Sequence, residues 1–107
     1  MVYSIDDKIG RSDSRDKVAT TNISVSSTAA PLPTSPLGRR NFIRVKNMDS
    51  VDSIAILTAS GVYGDGYPVP AGESWEESTD ADLWIVASGG DIDVEVYERS
   101  SRFNYGA

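Results

Sequence analysis

Three prolines within six residues constrain this chain more than any other feature. Residues 30–47 read APLPTSPLGRRNFIRVKN. Pro31, Pro33 and Pro36 fix φ and remove three backbone donors, so this segment enters neither a helix nor the middle of a sheet. Gly38 then permits a sharp bend. After Arg39 and Arg40 comes a short run of strand-favouring residues, Asn41 to Lys46, which Asn47 ends at a turn. Nothing in the pattern is catalytic. It describes a chain that lies across a surface and then enters a small β-domain.

The rest of the chain reads as short strands between turns. Residues 19–27 alternate, with Ile23 and Val25 on one face. Residues 51–58 carry Ile54 and Ile56 on one face and Ala55 and Leu57 on the other. Gly61, Gly64 and Gly66 mark a hairpin loop before residues 68–72, an extended step closed by a turn. Residues 73–77 form a short strand with Trp75 inward. Residues 83–87, LWIVA, are the most apolar run and read as a central strand, and residues 88–91 read as a hairpin turn. Ile92, Val94 and Val96 then alternate with Asp91, Asp93, Glu95 and Tyr97, a pattern that continues to Glu98. No helix pattern appears. Six or seven short antiparallel strands at this spacing predict an all-β fold, a compact β-sandwich or small barrel. Its core is expected to hold Ile43, Val45, Ile54, Ile56, Trp84, Ile92, Val94 and Val96.

With 107 residues there is room for one domain. The division expected is a flexible N-terminal arm over residues 1–18, a β-domain over 19–98 that includes the Pro-rich lead-in 30–38, and a tail over 99–107. The arm is polar and mixed in sign, and orders when it lies on a partner. No window approaches the ~20 apolar residues of a membrane span, and the first twenty lack the apolar run of a secretory signal.

Cysteine and histidine are both missing. That excludes disulfides, zinc sites built on either residue, and Ser-His or Cys-His catalysis. Carboxylate pairs are the remaining catalytic option: Asp80 with Asp82, Asp91 with Asp93, Glu76 with Glu77. Acid–base work needs two carboxyls in unlike environments, whereas these read as solvated or turn-forming. Asp65, Asp80, Asp82 and Asp91 lie in loops, yet they lack the spacing of a calcium loop. No enzyme activity, cofactor or metal is expected. Trp75, Trp84, Tyr63, Tyr67 and Tyr97 leave open a sugar-binding face, with Trp84 the most core-like of them.

Charge divides the chain. Residues 1–46 hold eight cations against four carboxylates, net +4. Residues 47–107 hold two against twelve, net −10. The acidic half argues against nucleic acid as a partner. Arg39 and Arg40, with Arg44 and Lys46, form the one basic cluster. On a strand Arg40, Arg44 and Lys46 share a face, either merely solvated or complementary to an acidic partner, a second copy included.

The layout resembles small virion proteins of tailed bacteriophages, the capsid decoration (cement) or head/tail accessory type. The residues that carry the resemblance are Leu32-Pro33 through Pro36-Leu37-Gly38-Arg39-Arg40, the strand ending at Asn47, and the step from Gly66 to Ser74. The strand over 83–87 and the closing strand over 92–98 complete it, so that it covers residues 28–98. It implies a β-sandwich with an extended arm, often a homo-trimer, bound where capsomers meet. The partner expected is the major capsid protein or another virion protein, and the location the capsid surface. Arg39, Arg40, Arg44, Pro31, Pro33 and Pro36 are the candidate contact residues. A baseplate or tail-adaptor protein and a carbohydrate-binding module are the alternatives.

Overall fold

Alternation decides which side of each strand is buried. In the computed structural model, which describes residues 17–33 and 36–100, Ile92, Val94 and Val96 turn inward while Asp91 and Asp93 face solvent. Among the described residues eight strands run in order: β1 (Lys17–Val25), β2 (Ala30–Pro31), β3 (Phe42–Asn47), β4 (Ile54–Leu57), β5 (Tyr67–Val69), β6 (Ser74–Glu77), β7 (Trp84–Ala87) and β8 (Ile92–Ser100). A 3-10 turn, Tyr63–Asp65, interrupts the β4–β5 connection. There is no α-helix among the described residues.

The pairing follows one rule. β4 pairs with β5, β3 with β6, β2 with β7 and β1 with β8, all antiparallel. The chain is therefore a long two-stranded ribbon folded back at the β4–β5 hairpin. Rolling that ribbon brings β8 beside β3 and β7 beside β4. Two four-stranded sheets result, ordered β1-β8-β3-β6 and β2-β7-β4-β5. This is the strand order of an eight-stranded jelly roll.

One core lies between the sheets. Val25, Ile43, Val45, Ile92, Val94 and Val96 come from the first sheet. Leu32, Ile54, Ile56, Val69, Leu83, Ile85 and Ala87 come from the second sheet and its flanks. Seven of the eight expected core residues are buried here; Trp84 is the exception. Both faces of β7 are apolar, so its neighbours decide the facing. Ile85 and Ala87 take the inner side. Trp84 packs outside the second sheet against a smaller cluster of Ala55, Leu57 and Val86, partly covered by Tyr63. Trp75 packs against the main core, as its position in β6 implies.

Several boundaries shift. β1 begins at Lys17 and β8 runs to Ser100, so Lys17, Val18, Arg99 and Ser100 belong to paired strands and not to arm or tail. Residues 1–16 and 101–107 of those segments lie outside the described residues. The described residues hold eight strands because β2 and β5, of two and three residues, each contain a proline and are too short to show a period. Residues 88–91 do not close a hairpin. They carry the chain from β7 in one sheet to β8 in the other. Gly66 is needed where β5 begins, since a Cβ there would sit 2.7 Å from the Ile56 carbonyl oxygen.

Candidate functional site

The Pro-rich segment is part of the domain. Leu32 is buried, and its amide donates to the Leu83 carbonyl at 2.9 Å. Pro31 sits in β2 opposite Trp84, on the edge of the second sheet, where its missing donor costs no ladder bond. Residues 37–40 then form a tight turn in which the Arg40 amide donates to the Leu37 carbonyl at 3.2 Å. Arg39 occupies the left-handed region at φ 59°, unusual for a residue with a side chain.

The turn is held by one carboxylate. Glu98 follows Val94 and Val96 in phase along β8, so its side chain points inward, and it is 1% exposed. Its two oxygens accept from the Leu37 amide at 3.2 and 3.3 Å. Arg40 Nη1 donates to Glu98 Oε2 at 3.2 Å and to the Leu32 carbonyl at 3.5 Å. Arg40 Nη2 donates to the Ala81 carbonyl. One guanidinium thus ties the turn to β8, to the segment after β2 and to the loop before β7. Its Nε is buried without a hydrogen-bond partner.

Arg40 therefore does not share a face with Arg44 and Lys46. β3 begins only at Phe42, and the reversal at Arg39 turns the next side chain inward to Glu98. Around the turn lies a depression of about 220 Å³, lined by Pro31, Pro33, Pro36, Arg40, Asp82 and Trp84. Four of the six candidate contact residues meet there. Pro31 and Pro36 are exposed, Pro33 and Arg40 buried, and exposed Arg39 stands at the adjoining turn. Arg44 lies elsewhere, on the outer face of the first sheet.

That outer face has its own order. Arg44 Nε pairs with Glu76 Oε1 at 3.2 Å, both largely in solvent. The Arg44 guanidinium lies 5.7 Å from the Tyr97 ring centre and that of Arg99 4.6 Å from Phe42. Phe42 and Tyr97 meet edge to face at 6.2 Å. Thr20, Lys46 and Glu95 complete a shallow depression of about 480 Å³ over Tyr97. The five aromatic residues that left a sugar-binding face open do not share one. Trp75 packs inward, Trp84 and Tyr63 cover the outside of the second sheet, Tyr67 lies on edge strand β5, and Tyr97 lies outside the first sheet.

Asp80, Asp82, Asp91, Asp93, Glu76 and Glu77 are all exposed. Among the described residues no three acidic side chains gather as a metal site would require. Asp49 has a structural task. Its carboxylate accepts from the amides of Asp52 at 2.6 Å and Val51 at 2.9 Å, which hold it below the ordinary aspartate range. Asn47, read as a turn residue, is buried at the crossover from β3 to β4. Its Nδ2 donates to the carbonyls of Asp52 and Val69, at 2.9 and 3.1 Å, and its Oδ1 accepts from the Asp49 amide at 2.9 Å. The signal that marks Glu98 is its phase, an acid in register with buried valines. The same signal marks Asn47, a polar residue in phase with buried Ile43 and Val45 along β3.

Fold and site together define an all-β jelly-roll domain whose Pro-rich segment is clasped by a buried ion pair. Among known proteins, no family model and no curated protein matches this chain.

Proposed function

We propose that this chain is a non-enzymatic structural protein of a phage virion, which binds and stabilises the capsid as a decoration protein. The observation that supports this reading is the clasped turn. It holds Pro31, Pro36 and Arg39 at the surface around a small apolar depression, with little conformational freedom left to lose on binding. The jelly-roll order adds to it, since viral capsid domains use this architecture, although lectins and cupins do too and fold alone does not assign function. The contact partner in this reading is the major capsid protein or another virion protein, and repeated copies supply avidity.

The test uses purified capsid shells and tails that lack this protein. The chain is expected to sediment with shells, and Arg39→Glu to weaken retention with an unchanged melt. Removal of residues 1–16 should also weaken attachment, while a deletion reaching residue 18 takes two pairs from β1 and lowers the melt as well. Retention on tails alone would establish the baseplate or tail-adaptor reading in its place. Retention on neither would reject both.

A further inference from the structure

Among the described residues the two sheets have four edge strands, and three of them are blunted. β2 is two residues long and ends in Pro31. β5 is three residues long with Pro68 at its centre. β6 is four residues long and carries Glu76 and Glu77. Short length, proline and charge are the devices by which sheet edges avoid pairing with other chains. β1 has none of them. It is a nine-residue strand, KVATTNISV, with a single charge at its first residue, no proline and no interruption of its register with β8. Among the described residues nothing pairs with its other edge.

β1 also overruns the second sheet. Of the residues in the inward phase only Val25 is fully buried; Ala19 and Ile23 are half-buried, and Lys17 and Thr21 are exposed. The strands of the second sheet, of two to four residues, are too short to cover it.

We propose that the edge of β1 pairs with β1 of a second copy, antiparallel about a two-fold axis at Thr21. The rolled sheets of two copies then join into one eight-stranded sheet. Charge layout selects the direction. The β1–β8 pair carries Lys17 and Arg99 at one end and Asp93, opposite Ser24, with Asp91 beyond it at the other. Antiparallel pairing sets the basic end of one copy beside the acidic end of its partner. Parallel pairing would set like ends together. The register centred on Thr21 is the one that pairs all nine residues. It places Thr20 opposite Asn22 of the second copy, and Ala19 opposite Ile23, each on a common face. Small hydroxyl and amide side chains meet at the axis, where Thr–Thr pairs are favourable. An isologous contact of this kind closes at two copies, in contrast to the trimer that the phage resemblance implies. The inference does not depend on the virion reading.

The chain has no cysteine, which makes the register directly testable. Thr21→Cys places two thiols across the axis, within the Cα separation a disulfide accepts. Val18→Cys faces Ser24 of the second copy and leaves the thiols apart. Mild oxidation of the full-length variants is expected to crosslink Thr21→Cys to a covalent dimer much faster than Val18→Cys. Sedimentation of the wild type at micromolar concentration is expected to show a dimer. Thr20→Lys with Asn22→Lys sets four like charges at the axis and is expected to leave only monomer, with thermal unfolding of the monomer intact. A wild-type monomer, a trimer that survives the double lysine variant, or equal crosslinking at positions 18 and 21 would overturn the proposal.

Discussion

Arg40 and Glu98, separated by 58 residues in sequence, form an ion pair at 3.2 Å with side chains only 4% and 2% exposed. The pair joins the turn before β3 to the last part of β8, and the turn amide of Leu37 completes the carboxylate's partners. Glu98→Ala leaves a buried guanidinium with its main counter-charge gone, a loss of about 3–5 kcal/mol. Urea unfolding should show the midpoint fall accordingly. Arg40→Met combined with Glu98→Leu removes both charges and should recover part of that loss. A double variant no more stable than Glu98→Ala would show that the carbonyl contacts of Arg40, and not the ion pair, hold the turn.

Asn47 satisfies three backbone groups inside the fold. Asn47→Ala leaves two carbonyls and one amide short of a partner. The expected cost is about 2–3 kcal/mol, read as a lower denaturation midpoint with little change in slope.

Asp49 gives stability a dependence on acid. Its carboxyl is held below its ordinary value by the amides of Asp52 and Val51. A group whose folded pKa is depressed contributes stability above its unfolded pKa of ~3.9 and loses it as pH falls through the folded value. Asp49→Asn should therefore lower the melting temperature at neutral pH, and the gap to the wild type should close as pH falls through the folded value. Parallel thermal melts across that range check the sign.

Core and surface should separate cleanly. Val94 is 1% exposed between the sheets, and Val94→Ala should cost about 1–3 kcal/mol. Arg44 pairs with Glu76 in solvent, and Arg44→Ala should change unfolding free energy by no more than ~0.5–1 kcal/mol. Chemical denaturation of the two variants side by side provides the comparison.

The sequence by itself determined the class of fold and the facing of most strands. Period-two alternation is local, so Ile43, Val45, Ile92, Val94 and Val96 declare their buried side without knowledge of their neighbours. Proline chemistry likewise excluded Pro31 from a central strand, and β2 is an edge. Tertiary structure alone decided three things. It decided which apolar face of β7 is inner, because Trp84 and Ile85 are both apolar and only the opposing sheet distinguishes them. It decided that Arg40 turns inward, because its partner Glu98 lies at the other end of the domain in sequence. And it decided that β1 is the bare edge among the described residues, since an edge is defined by which strands stand beside it. Pairing between distant segments sets all three, and no window of local sequence contains that pairing.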